Sequence, residues 1–207
     1  SFADEIVTNS EDFKSQMNKN FNIKSICIYN PLDKNEIIKK SKKKINFNFF
    51  KSKQALKIIN IGRFTEQKDQ MTILKSAEIL KKKKIKFKLL LIGQGVEKDN
   101  LKHFIEKKNL NNFVKILNFQ ENPYKFINKS DIFVLSSKYE GLPNVLLEAA
   151  VLKKFIISSN CPTGPKEILL NGKGGALFKV GDFDDLAKKI IKFKKNQKIL
   201  RKKILLN

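Results

Sequence analysis

The stretch DIFVLSSKYEGLPNVLLEAAVLKKFIISS, from Asp131 to Ser159, passes from strand to polar loop to helix to strand within one short unit. Its run from Ile132 to Leu135 is continuously apolar, which is typical of a strand covered on both faces in a parallel sheet. Pro143 suits the first helical position, where its missing N–H is not needed. The run from Val145 to Leu152 is apolar on every side except for Glu148, so we expect a buried helix.

Polar groups at the start of this helix indicate a ligand site. The unpaired N–H groups of a first helical turn, together with the positive dipole end, favour phosphate. Glu140 lies in the preceding loop, and Gly141 beside it lets a ligand approach the backbone closely. A buried ionised carboxylate needs a partner, so Glu148 is expected to accept hydrogen bonds. Spacing alone leaves open that Glu140 is a solvated loop residue and Glu148 a helix residue on a wet stripe.

The rest of the chain alternates strands and helices. Apolar runs predict strands at 56–61, 87–92, 114–117, 132–135, 155–158 and 176–178. Helices are expected between them, at about 69–82, before about 108, from 123, from 143 and from about 183. This alternation predicts an α/β fold with a Rossmann-like doubly wound parallel sheet, in which ligands bind beyond the carboxyl ends of the strands.

Two basic residues follow the first strand of the predicted sheet, at the edge where ligands bind. Arg63 presents a planar fork that matches phosphate, whereas Lys68 acts as a point charge. Only Arg63 and Arg201 are arginine in a chain that otherwise uses lysine. The alternative is that both basic residues are simply solvated.

Two phosphate-binding motifs are excluded. Gly93-Gln94-Gly95 follows the second strand, but a dinucleotide fingerprint needs a third glycine where Lys98 stands,. We therefore interpret these glycines as tight-turn residues. The chain contains no G-x4-G-K-[ST] string, which excludes a P-loop enzyme,.

Composition limits the other function classes. A net charge of +23 will attract anionic lipid and nucleic acid in a salt-dependent manner, but no motif that reads bases is present, so no specific nucleic acid is expected,. His103 is the only histidine, and we expect no metal site,. Cys27 and Cys161 are far apart, which favours reduced thiols in a cytoplasmic protein. No apolar run reaches the roughly 18 residues of a membrane span.

The motif Glu140-Gly141-x-Pro143-x4-Glu148 resembles the E-x7-E signature of the retaining glycosyltransferases of family four, a GT-B group that uses nucleotide-sugar donors. The string CPTGPKEI from Cys161 is similar to one in members that build surface polysaccharides and lipid-linked oligosaccharides.

The resemblance implies roles for individual residues. Gly62-Arg63-x4-Lys68 is similar to the family's G-R-x4-K, whose basic groups hold the donor diphosphate. Glu140, Arg63 and Lys68 would act in catalysis, with Glu140 orienting the donor sugar and Glu148 accepting from the ribose hydroxyls. Phe119 and Gln120 would contact the base, although Asn118 stands where the family commonly has glycine. The implied substrate-binding set is Gly62, Arg63, Lys68, Phe119, Gln120, Glu140, Gly141, Leu142, Pro143, Asn144 and Glu148. The nucleotide-sugar is a substrate, so no cofactor is expected.

The resemblance also implies a domain organisation. Ala3 to Ser10 is similar to the segment that closes the family's N-terminal domain, and Ile28 to Asp33 to the start of the crossing into the C-terminal domain. We therefore expect 1–32 to end a truncated acceptor domain, 33–54 to be the interdomain linker, mobile over 37–54, and 55–207 to bind the donor. Such a fragment would have little activity alone.

The implied function is metal-independent transfer from a nucleotide-sugar, expected to be a UDP-sugar, to a glycan or lipid-linked acceptor. The protein is expected to be cytoplasmic, at the inner face of an anionic membrane with peripheral contact. Three alternatives remain: a glycosidase that uses Glu140 and Glu148 as acid and nucleophile, a non-enzymatic basic module that binds membranes or polyphosphates, and a sugar-nucleotide epimerase of the same fold.

Overall fold

The structure, a computed structural model, describes residues 3–196. The first elements form a small unit of two parallel strands joined by a helix: β1 (Val7–Thr8), α1 (Glu11–Phe21) and β2 (Ile26–Cys27). Helix α1 begins after Ser10, because the Ser10 hydroxyl accepts a hydrogen bond from the Phe13 N–H at 3.1 Å,.

In the part of the chain that the structure describes, the main sheet has six strands: β3 (Leu56–Ile61), β4 (Phe87–Ile92), β5 (Val114–Leu117), β6 (Ile132–Leu135), β7 (Phe155–Ser159) and β8 (Ala176–Phe178). All pairs are parallel, in the order β5-β4-β3-β6-β7-β8. The first strand of this sheet, β3, lies at its centre. The chain then adds β4 and β5 on one side and β6, β7 and β8 on the other. This order confirms the predicted Rossmann-like doubly wound sheet and puts its switch point between β3 and β6.

Within the described residues, seven further α-helices follow α1: α2 (Lys34–Ser41), α3 (Gln70–Lys82), α4 (Lys98–Lys107), α5 (Tyr124–Lys129), α6 (Asn144–Val151), α7 (Pro165–Ile168) and α8 (Phe183–Lys195). Helices α3, α4 and α8 cover one face of the sheet, and α2, α5 and α6 the other, each with its own apolar core. None of the helices within residues 3–196 is long and apolar enough to cross a membrane.

Two sequence expectations need correction. The stretch predicted as a mobile linker contains α2 and a 3-10 turn, Asn48–Phe50, whose Phe50 is only 4% exposed. Apolar side chains in this lysine-rich stretch are what tie it to the core. Helix α6 is buried on one face only, through Leu146 and Ala149, while Ala150 is exposed. The prediction of an entirely buried helix was wrong because a second covering layer does not lie over its outer face.

The glycines after β4 are required by close backbone packing. A Cβ atom at Gly93 would lie 1.9 Å from the Gly62 carbonyl oxygen, and one at Gly95 would lie 2.3 Å from the Phe64 carbonyl oxygen. The Phe64 N–H in turn donates to the Gln94 carbonyl at 2.8 Å. This packing confirms the interpretation as turn glycines and fixes the position of the loop after β3.

Candidate functional site

The loops that follow β3 and β6 lie side by side at the switch point of the sheet. The Ser136 hydroxyl donates to the Lys68 carbonyl at 2.8 Å, and the Lys138 N–H donates to the Gln67 carbonyl at 2.8 Å. Backbone pairing between β3 and β6 ends at Ile59. The next residue, the buried Asn60, bonds to β6 through its side chain instead, because its amide group donates to the Val134 carbonyl at 2.9 Å. Backbone pairing of the two strands therefore ends here, at the switch point, where this fold class binds ligands.

An ion pair joins the two loops. Lys68 Nζ lies 2.6 Å from Glu140 Oε1, and the two side chains are only 17% and 7% exposed. The Ser137 hydroxyl donates to the same oxygen at 2.6 Å. Within residues 3–196 the second oxygen, Oε2, accepts no hydrogen bond. Glu140 is thus held through Oε1 and has Oε2 available. Ser137 is a partner that the sequence analysis did not predict.

Arg63 follows β3 at this switch point. Its side chain is exposed, and its guanidinium forms no hydrogen bond or ion pair with any residue of the described chain. Its backbone is fixed instead, because the side chain of Gln70, 1% exposed, donates to the Arg63 carbonyl at 3.0 Å. A fixed backbone that carries an unpaired guanidinium suits an anionic ligand.

The loop before α6 packs against the loop after β7. The Thr163 hydroxyl donates to the Glu140 carbonyl, and a Cβ atom on Gly164 would lie 2.2 Å from the Gly141 carbonyl oxygen. Pro143 is the N-cap residue, with φ −74° and ψ 93°, and not the first helical residue as predicted, since its ψ remains extended. Among the described residues no side chain caps α6. The Leu146 N–H donates to the Pro143 carbonyl at 2.9 Å, which leaves the N–H groups of Asn144 and Val145 available to a ligand,.

Glu148 has a protein partner in the structure. The Tyr124 hydroxyl donates to Glu148 Oε1 at 3.3 Å. Burial raises the pKa of Glu148, an effect that the Tyr124 hydrogen bond partly opposes. Burial and the neighbouring Glu148 carboxylate raise the pKa of Tyr124 to about 12. Sequence reasoning expected a partner for Glu148 but did not find Tyr124.

The sequence profile described as "Glycosyl transferases group 1" matches residues 41–205. An uncharacterized glycosyltransferase of Methanocaldococcus jannaschii is 38% identical over 81% of this chain and 42% of its own length. The chain belongs to the group 1 glycosyltransferase family. A Campylobacter jejuni relative, N-acetylgalactosamine-N,N'-diacetylbacillosaminyl-diphospho-undecaprenol 4-alpha-N-acetylgalactosaminyltransferase, is 30% identical over 86% of the chain and 47% of its own length. The chain therefore spans less than half the length of these curated relatives.

Solved structures show the same fold. Anabaena HepE in complex with UDP and glucose superimposes with a TM-score of 0.82 at 19% identity, over 98% of this chain and 56% of HepE. A mutant of S. aureus TarM in complex with Fondaparinux, alpha-GlcNAc-glycerol and UDP gives a TM-score of 0.81 at 24% identity, over 97% of this chain and 38% of TarM. These similarities identify the sheet of this group 1 chain as one half of a GT-B fold.

The remaining predicted residues of this group 1 chain lie at the same sheet edge or beside it. Phe119 follows β5 and is 65% exposed, which rules out a core role, and the Gln120 side chain donates to the Asn118 carbonyl at 3.2 Å. Their contact with a base stays a prediction. Cys161 is 3% exposed, and burial raises the pKa of its thiol to about 11, as expected for a structural cysteine,. Cys27 is half-buried, and both thiols are free.

Glu148→Gln is expected to stabilise this group 1 chain at neutral pH. Burial raises the folded-state pKa of Glu148, so its ionised form destabilises the fold above that pKa,. The penalty disappears below the unfolded-state value near 4.5, where the carboxyl is protonated in both states. The melting temperature of Glu148→Gln should therefore exceed that of wild type at pH 7, and the difference should shrink as the pH falls. A constant difference across this range would contradict the burial effect.

Proposed function

We propose that this chain carries the donor site of a retaining glycosyltransferase, which moves a sugar from a UDP-sugar to a glycan or lipid-linked acceptor without a metal ion. The observation that carries the proposal is the meeting of Lys68 and Glu140 beside the uncapped N-terminus of α6 at the switch point of the sheet. The retaining mechanism is proposed because the segment 140–148 resembles the E-x7-E signature.

Positive groups around the switch point support a diphosphate position. The Arg63 guanidinium has no partner in the described chain, and Lys68 Nζ has one acceptor for its three donors,. The N–H groups at the start of α6 add a third source of positive potential. Charged hydrogen bonds contribute roughly 1.5–3 kcal/mol each, and a helix end up to about 2 kcal/mol. Together these groups would stabilise the charge that builds on the departing diphosphate.

The two carboxylates support recognition of sugar hydroxyls. Glu140 Oε1 is occupied by Lys68 and Ser137, which leaves Oε2 to orient the donor sugar. Glu148 Oε1 accepts from Tyr124, which leaves its other oxygen for the ribose hydroxyls. In this role Tyr124 would fix the Glu148 carboxylate before the donor binds.

The base, acceptor and location are proposed from the relatives. The HepE and TarM structures contain UDP, and the C. jejuni relative is named for an undecaprenol-linked acceptor. A lysine-rich surface would favour peripheral contact with the anionic inner face of a membrane,. Membership of the transferase family favours this function over the glycosidase alternative.

Titration calorimetry of this chain with UDP, GDP and ADP tests the proposal. We expect UDP to bind most tightly and its affinity to survive an increase in salt. Glu148→Ala should weaken UDP binding by about tenfold, the effect of roughly one lost charged hydrogen bond. Glu106→Ala, which removes an exposed carboxylate on α4, is the control and should leave UDP affinity unchanged. Equal binding of all three nucleotides that collapses with salt would support the basic-module alternative.

A further inference from the structure

One carboxylate connects the N-terminal unit to the rest of the chain. Glu167 Oε1 accepts from the Glu11 N–H at 3.2 Å, and Oε2 accepts from the Asp12 N–H at 3.1 Å. The Tyr29 hydroxyl donates to Oε1 at 2.6 Å. Glu167 therefore binds the positive end of α1 and Tyr29, two residues after β2, at the same time,.

These contacts lie next to the candidate donor site. Glu167 is in α7, the helix whose N-cap Gly164 packs against the Gly141 carbonyl. The Asn30 amide group donates to the side-chain oxygen of Asn144 at 2.9 Å, at the start of α6. The Asn9 side chain faces Gly141, with Oδ1 3.4 Å from the position of an added Cβ atom.

Polar groups, and no shared apolar core, form this junction. Neither apolar core of the sheet contains a residue of 7–30 among the residues that the structure describes. Large apolar side chains of this segment are exposed instead: Val7, Phe21, Ile26 and Ile28. A contact made of a few hydrogen bonds can open and close without disrupting either core.

We propose that Glu167 is a positioning residue that fastens segment 7–30 against the loop 141–144, so that the position of the segment and nucleotide binding at that loop are coupled. The coupling rests on the proposed donor function, whereas the fastening does not. The hydrogen bond to Glu167 also raises the pKa of Tyr29 to about 12, which gives the contact a spectroscopic signature. By linkage, UDP that binds the fastened arrangement better must also strengthen the Glu167 contacts.

Amide hydrogen exchange of the full chain tests the fastening without any ligand. In Glu167→Gln the amides of Glu11 and Asp12 should exchange about tenfold faster, since the variant loses the charge and one acceptor. Exchange in β4 should stay unchanged, and the Tyr29 ionisation seen by ultraviolet titration should move down toward 10. Unchanged exchange at both amides would overturn the proposal. Tyr29→Phe provides a second variant and should accelerate the same amides to a smaller extent.

Addition of UDP tests the coupling. UDP should slow exchange of the Glu11 and Asp12 amides in the wild type but not in Glu167→Gln. It should also bind the variant about five- to tenfold more weakly, at the low end of the usual range of coupling. Faster exchange in the variant with equal UDP affinity would overturn the coupling alone. If UDP fails to bind the wild type, the donor function is wrong, while the ligand-free exchange comparison still decides the fastening.

Discussion

Lys68→Met is expected to lower the free energy of unfolding by about 3 kcal/mol at neutral pH, measured by denaturant titration. The substitution keeps the apolar stem but leaves Glu140, 7% exposed, without its cation. Removal of one partner of a buried ion pair destabilises by about 3–5 kcal/mol, and the low end applies because Ser137 still donates to Glu140,. The same variant should bind UDP at least about tenfold more weakly, as expected for one lost charged hydrogen bond to phosphate.

Two further variants separate the ion pair from a general effect of lost charge. Lys138→Met removes an equally short ion pair, 2.7 Å to Glu66, but both partners are exposed, so stability should change little,. The double variant Lys68→Met with Glu140→Gln removes both charges and should recover part of the lost stability, because no unpaired carboxylate remains buried. Equal losses in Lys68→Met and Lys138→Met would contradict the buried pair.

The sheet could be predicted closely because its strands are short apolar runs between turn residues. The run from Ile132 to Leu135 is buried throughout, as its continuously apolar sequence predicts. Helix α6 was harder, because an apolar sequence does not say whether another layer covers both faces. Phe50 was missed for the opposite reason: a single aromatic side chain anchors a stretch whose composition is typical of a linker.

The candidate site could be predicted in position but not in its internal contacts. Arg63 and Glu140 follow strands that were expected in one parallel sheet, and the carboxyl ends of such strands share an edge. Ser137, Tyr124 and Glu167 were not predicted as partners. A hydrogen bond between Tyr124 and Glu148 joins two different helices and leaves no periodic pattern in the sequence. Such contacts depend on how helices pack, which spacing along the chain does not encode.

Gly164→Ala is the second substitution with a large expected effect, a loss of about 2–6 kcal/mol in the free energy of unfolding. The residue has φ +83° and ψ −63°, a sparsely populated region in which an alanine is strained by about 1–3 kcal/mol,. Its Cβ atom would also lie 2.2 Å from the Gly141 carbonyl oxygen and 2.6 Å from Pro143 Cδ, and overpacking of this kind costs about 1–3 kcal/mol,. Relief of the clash requires the loop before α6 to move, so UDP affinity should fall as well.

Gly181→Ala is the matched control, because Gly181 has φ +75° but no atom within 4 Å of an added Cβ. Its loss should be limited to the backbone strain of about 1–2 kcal/mol, with UDP affinity unchanged. Equal losses in the two variants would mean that the contact between Gly164 and Gly141 is not tight. A larger loss for Gly164→Ala together with weaker UDP binding would show that the loop after β7 sets the position of Gly141. The loss of UDP affinity would then come from a backbone contact, because neither Gly164 nor Gly141 has a charged side chain.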